Sequence, residues 1–194
     1  MMGNEMITIK NDIAQSHSEY YSVSHAKFIK LYVLTLGLYS IYWFYKNWKL
    51  QQPYLSKKIN PPLRSIFYIF YVHSLVKRIS NSLEAVGKVA HNTHLNSYAT
   101  GFIVLSIGGN IVLKIAEVYE NSPYLNFIGF CIYIFSAYPL GEIQDKVNIL
   151  KEDPLGEINS KYSWHNYVFM IVGGLLLALS ILGFLAMMLM SHPK

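Results

Sequence analysis

The carboxyl-terminal part of the chain contains a long stretch without charge. From Tyr162 to Pro193, 32 consecutive residues include no Asp, Glu, Lys or Arg. Within this stretch Tyr167–Met190 is almost wholly apolar, and it exceeds the roughly 20 residues that a helix needs to cross a bilayer. A helix of a soluble protein core keeps a polar stripe toward water, which this segment lacks. The sequence therefore predicts an integral membrane protein.

Composition supports this prediction and limits the number of domains. Hydrophobic residues make up 53% of the 194 residues and charged residues 14%, whereas a soluble domain has about 25% charged residues. We expect a polar N-terminal segment at 1–27 and one membrane-embedded helical domain at 28–194. The net charge of +5 is typical of basic cytoplasmic loops, and no nucleic-acid-binding motif is present, so we expect no nucleic-acid partner.

Five apolar segments divide the chain. The first has 15 uncharged residues, which is short for a span, and the second has 12, which favours a re-entrant or interfacial helix. The other three are long enough to cross. We predict an all-α integral membrane helix bundle of about four transmembrane helices plus one short re-entrant or interfacial helix. In chain order the segments are Leu31–Tyr45, Ser65–Val76, Leu95–Leu113, Asn121–Gly141 and Tyr167–Met190.

Basic residues indicate how the segments are oriented. Residues 46–94 contain eight Lys or Arg and one acidic residue, so the positive-inside rule places them in the cytoplasm. The same rule places 142–166 there, and 114–120 and the C-terminus on the opposite side. Whether Leu31–Tyr45 crosses or turns back decides the side of the N-terminus, and the lysines that precede it favour turning back.

One motif carries a family resemblance. Thr35-x-Gly-x-Tyr39 followed by Tyr42-Trp-Phe-Tyr-Lys-Asn-Trp48 resembles the signature of a family of uncharacterised bacterial multi-pass inner-membrane proteins, which contain a domain of unknown function. The resemblance implies a bacterial inner (cytoplasmic) membrane, with 114–120 and the C-terminus in the periplasm, and it implies no activity. The likeness continues at Ser74–Ile79, Gln144, Asn148, Ser163-Trp-His-Asn166 and Gly173-Gly174.

The aromatic motif suggests a contact with lipid or a partner. Rings with polar tips favour the headgroup region, and neighbouring lysines favour anionic lipid. One interpretation is an interfacial anchor, and the other is a headgroup or partner site that also uses basic residues of the next segment. The candidate contact residues are Tyr42, Trp43, Tyr45, Lys46, Trp48, Lys49, Arg64, Lys77 and Arg78.

Small and amide residues inside the spans predict helix packing. Gly174 and Ala178 form a small-x-x-x-small pair that allows another helix to approach closely, either within the bundle or in a dimer. Asn110 is a carboxamide within a span that is suited to a hydrogen bond between helices.

Catalytic and metal-binding patterns are sparse. His91 and His94, spaced to share one helical face, fall short of the three or four ligands of a zinc site, so we expect no metal. Glu142 and Asp145 form a second pair at the same spacing, and no cofactor-binding motif occurs, so we expect no cofactor. The sequence favours a non-catalytic protein whose partners are membrane lipids, another membrane protein or a second copy. A small channel or passive transporter, and a membrane-embedded enzyme using these pairs, remain alternatives.

Overall fold

The computed structural model describes residues 19–119 and 122–190. Over these residues the chain is helical and contains no strand, so the predicted all-α class is confirmed. Short 3-10 turns at Gln52–Tyr54, Val89–Asn92 and Glu157–Asn159 join some of the helices. The α-helices are α1 His25–Leu34, α2 Tyr39–Gln51, α3 Pro61–Ile66, α4 Tyr68–Ala85, α5 Leu95–Val118, α6 Pro123–Phe135, α7 Ala137–Leu150 and α8 Trp164–Met190.

Three helical stretches are long and apolar enough to cross a membrane, by length and composition. They are Val89–Val118, Pro123–Leu150 and Trp164–Leu189. The first contains α5, the second is the α6–α7 pair, and the third is nearly all of α8. This result is consistent with a membrane protein and identifies three of the segments that the sequence predicts as spans.

The remaining predicted span, Leu31–Tyr45, is two helices that reverse direction. Gly37, in the turn between α1 and α2, has a φ of 81°, a conformation that glycine adopts without steric cost. After the turn, α2 runs back along α1. The ring of Phe28 lies 5.7 Å from that of Tyr39 and 6.0 Å from that of Trp43, measured between centroids. The segment is therefore a helical hairpin and not one continuous helix.

Helices α3 and α4 form a second hairpin. The break between them is at Phe67, and the ring of Tyr68 stacks on Phe44 of α2 with centroids 5.2 Å apart. The predicted shallow segment, Ser65–Val76, thus contains the tip of the hairpin and the first half of α4. The tip exposes a cluster of large apolar side chains, which are Leu63, Ile66, Phe67 and Phe70.

The region predicted as loops is largely helical. The fourth apolar segment does not end at Pro139 and Gly141, because the helix bends at Ser136 and continues as α7 to Leu150. Pro139 lies in the first turn of α7, where its missing N–H is not needed. Residues 142–150 and most of 46–94 are therefore helices that pack into the bundle.

The apolar side chains of the molecule fall into two regions. One is a closed core made by α1, α2, α4, α7 and the first half of α5. The other is an open surface on the second half of α5, α6 and α8, where large apolar side chains remain exposed, as expected for a surface that lipid covers. Fully buried core side chains include Phe28, Tyr32, Trp43, Phe44, Trp48, Leu75, Ile79, Phe102 and Leu140.

The residues predicted for helix packing make no contact between helices within the described chain, and packing of Gly174 and Ala178 in a dimer stays a prediction. A Cβ added at Gly174 would meet nothing within 4 Å, and Ala178 is exposed, so this pair packs against no described helix. The close contact is at the adjacent Gly173, where an added Cβ would clash with the carbonyl oxygen of Leu34. The Asn110 amide donates within its own helix, at 2.7 Å to the carbonyl of residue 106, because that acceptor lies one turn away.

Candidate functional site

An extended segment, residues 19–24, is held in the bundle by side-chain amides. Such a segment has no sheet partner, so its backbone polar groups need other hydrogen bonds. Asn47 accepts from the amide of Tyr21 at 3.1 Å, and the Gln51 side chain donates to the carbonyl of Glu19 at 2.7 Å. We call the side chains that bind this segment the carboxamide layer, which comprises Asn47, Gln51, Gln144, Asn148 and Asn159.

Gln144 and Asn148 form the centre of this layer. Both are fully buried on successive turns of α7. The Asn148 amide donates to the carbonyl of Val23 at 2.9 Å, and its oxygen accepts from Gln144 at 2.7 Å and from the Ser22 hydroxyl at 3.1 Å. The indole N–H of Trp43 donates to the Gln144 oxygen. These bonds join α2 and α7 through the N-terminal segment.

Ionisable groups at the edge of the layer are partly withdrawn from water. Burial raises the pKa of Tyr20 to about 12, although its hydrogen bond to Ser82, 2.9 Å long, opposes the rise. Burial also lowers the pKa of Lys27, whose ammonium donates to Asn159 and to the carbonyl of Lys161 at 2.7 Å each. This end of the molecule is therefore hydrogen-bonded, in contrast to the apolar end.

A groove of about 400 Å³ lies beside the layer, between the α1–α2 hairpin and α8. This volume is within the range of small-molecule sites. The hairpin contributes Thr35, Leu38, Tyr39 and Tyr42. The chain at and after the start of α8 contributes Ser163, His165, Asn166, Phe169, Val172, Gly173 and Leu176.

Tyr42, which lines the groove, lies beside a second aromatic ring and a lysine. Tyr21 meets Tyr42 edge-on with centroids 5.8 Å apart, and the Lys46 ammonium lies 5.6 Å from the centre of the first ring and 5.9 Å from that of the second. Burial, followed by the Tyr21 phenol, raises the pKa of Tyr42, and the charge of Lys46 opposes the rise. Among the described residues no carboxylate oxygen lies within 4.0 Å of the Lys46 ammonium.

Tyr39 places a buried hydroxyl without a partner at the groove. Its side chain is 5% exposed, and its hydroxyl makes no hydrogen bond to any described residue. Burial, with smaller effects of the nearby phenols of Tyr21 and Tyr42, raises the pKa of Tyr39. A buried polar group in this state is a candidate contact for a ligand or water.

The predicted lipid-contact residues occupy different environments. Trp43 and Trp48 are fully buried, so they are not available to lipid in this structure. The Arg64 guanidinium lies 4.4 Å from the centre of the Trp48 ring, and the Arg78 side chain donates to Gln51 at 3.0 Å. The others are exposed or half-buried at the surface: Tyr42, Tyr45, Lys46, Lys49 and Lys77.

Of the two pairs considered for catalysis, Glu142 and Asp145 share one helix at the predicted i, i+3 spacing, and His91 and His94 do not. His94 precedes α5 with a φ of 66°, so it does not share a helical face with His91, which lies in a 3-10 turn. Glu142 and Asp145 lie within α7, not after the helix, and Asp145 accepts from the His25 ring at 2.8 Å. The structure describes no group of three or more potential metal-ligating side chains among 19–119 and 122–190.

The groove combines two motifs that sequence reasoning did not connect. Thr35, Tyr39 and Tyr42 belong to the aromatic motif, and Ser163–Asn166 to the motif before α8. More than 120 residues separate them, and no local pattern shows that a helical hairpin brings them together. Comparisons of the chain with protein-family models, curated proteins and solved structures found no match.

Proposed function

We propose that the chain is a non-catalytic, multi-pass protein of a bacterial inner membrane that acts through lipid or protein partners at the cytoplasmic face. The segregation of its two ends is the observation that supports this proposal. The end that contains the carboxamide layer carries the polar groups and the basic residues of 46–94, and the other end exposes apolar helices. In water such an apolar surface would drive aggregation, whereas in a bilayer it faces lipid.

In this arrangement α5, the α6–α7 pair and α8 cross the membrane, and the two hairpins enter from the cytoplasmic face and return. The tip of the first hairpin lies beside Gly173, nine residues into α8, or about 14 Å along the helix axis. That depth is close to half of a hydrocarbon core of about 30 Å. Residues 114–120 and the C-terminus then lie in the periplasm.

Sidedness is tested by cysteine labelling in a Cys131→Ser background. Single cysteines replace Ser56, Tyr119 and Ser160, which are exposed, and a membrane-impermeant maleimide is applied to intact and to opened cells. We expect Tyr119→Cys to react in intact cells, and Ser56→Cys and Ser160→Cys only after opening. Reaction of all three in intact cells would contradict the topology, and recovery of the protein without membranes after alkaline extraction would refute membrane integration itself.

A further inference from the structure

We propose that the groove between the α1–α2 hairpin and α8 binds one anionic phospholipid, with an acyl chain along the groove and the headgroup at its mouth. This inference rests on the proposed membrane location. We infer a lipid as the ligand because the groove changes from polar to apolar along its length and opens toward the apolar surface. Leu38 at the hairpin tip is 61% exposed and Val172 on α8 is 53% exposed.

The length of the groove matches one leaflet. From His165 at the polar end to Leu176 at the apolar end, α8 rises about 16 Å. Half of the hydrocarbon core is about 15 Å thick. The polar side chains Ser163, His165 and Asn166 thus lie at the depth of the headgroups, and Phe169 lies at the depth of the chains.

The charge at the mouth selects the headgroup. The Lys46 ammonium lies beside the rings of Tyr21 and Tyr42, and no described carboxylate pairs with it. A phosphate beside Lys46 would pair with its ammonium at a position that is partly shielded from water. Tyr42 and Asn166 line the groove, and the hydroxyl of the first and the side-chain amide of the second can donate hydrogen bonds to the phosphate. These features favour an anionic over a zwitterionic lipid.

The Tyr39 hydroxyl supplies an independent indication of a ligand. It belongs to a residue that lines the groove, it is buried, and it has no hydrogen-bond partner among the described residues. An unsatisfied buried hydroxyl costs about 1–3 kcal/mol. A glycerol ester oxygen of a bound phospholipid is an acceptor of the chemistry that this hydroxyl needs.

Native mass spectrometry of the full chain, extracted from bilayers that contain equal phosphatidylglycerol and phosphatidylcholine, tests the proposal. We expect the wild-type protein to retain one phosphatidylglycerol in preference to phosphatidylcholine. Leu176→Trp fills the apolar end and should lower retention about tenfold, whereas Leu182→Trp, on the same helix but outside the groove, should not. Lys46→Gln should lower the preference for the anionic lipid about fivefold, the effect of one basic residue near an anionic surface. Lys58→Gln, an exposed lysine that is not a candidate contact residue and does not line the groove, is its control.

Three results would overturn the proposal. The first is wild-type protein that carries no lipid, and the second is an equal loss of lipid retention in Leu176→Trp and Leu182→Trp. The third is a lipid-free dimer that only Leu176→Trp disrupts, which would make the groove a site for a second copy. Because each sample is first shown to be in the bilayer, a bare protein refutes the lipid site alone. Failure to enter the bilayer refutes the proposed function.

Discussion

Individual amide side chains determine how the N-terminal segment joins the bundle. Asn148 alone contacts both backbone polar groups of Val23, donating to the carbonyl at 2.9 Å and accepting from the N–H at 3.4 Å. A buried extended segment without these contacts would lose several hydrogen bonds at once, and an unsatisfied buried polar group is costly. Asn148 therefore contributes more to stability than its position on α7 suggests.

Asn148→Ala should lower the free energy of unfolding by about 2–4 kcal/mol, because it leaves the Val23 carbonyl and the Gln144 amide each short of a partner in a buried site. Denaturant titration of the purified protein in detergent measures the change. Asn110→Ala is the matched control, since Asn110 is exposed and bonds only to its own helix, and it should change stability by less than about 0.5 kcal/mol. Equal effects of the two substitutions would show that the carboxamide layer does not stabilise the fold.

The helices that the sequence predicts most closely are those formed by long apolar runs. Tyr167–Met190 is part of α8 and Leu95–Leu113 part of α5, because a long apolar run of this length has few alternatives to a helix. The sequence left open whether Leu31–Tyr45 crosses, since 15 uncharged residues fit a short span or a hairpin equally well. Contacts of α1 with α7 and α8, distant in the sequence, accompany the hairpin. Gly37 is the residue that marks the turn, and glycine also occurs inside spans.

The candidate site was less accessible to sequence reasoning. Trp43 and Trp48 follow an interfacial pattern by composition, yet they lie in a closed core, because the helices that cover them come from distant parts of the chain. The i, i+4 spacing of Gln144 and Asn148 shows that they share a face of α7. Their partner, a segment more than 120 residues away, has no signature in the sequence.

Helix α8 docks on α1 through one glycine and not its neighbour. Gly173→Ala should lower the free energy of unfolding by about 1–3 kcal/mol, because the new methyl group would meet the Leu34 carbonyl and force the helices apart. Gly174→Ala should be neutral or stabilise the protein by up to about 1 kcal/mol, since its Cβ meets nothing and alanine favours a helix. Thermal unfolding in detergent measures both variants. A loss at Gly174 as large as that at Gly173 would contradict the described orientation of α8.

At the scale of the whole molecule, the two hairpins extend as far as the open apolar surface and turn back, whereas the three long helical stretches continue past the hairpin tips. The first tip packs on α8 at Gly173 and the second exposes Phe67 and Phe70 beside α5. Both ends of each hairpin return to the side that holds the carboxamide layer, so in the topology proposed above the cytoplasmic half of the protein is wider than the periplasmic half. A wide cytoplasmic half with aromatic tips would anchor the protein asymmetrically in one leaflet.

This asymmetry predicts a depth profile that spin labels can measure. In a Cys131→Ser background, labels at Leu38 and Phe70 should be accessible to oxygen and shielded from a water-soluble nickel complex, because both tips lie among lipid chains. A label at Ser56, an exposed position between α2 and α3, should show the opposite pattern, and one at Leu179 on α8 should resemble the tips because lipid surrounds it on an exposed face. If Phe70 is accessible to nickel while Leu179 is not, the second hairpin lies outside the bilayer, and only the first contributes to the membrane-embedded half. If both tips are accessible to nickel, neither hairpin enters the membrane, and the groove opens to water instead of lipid.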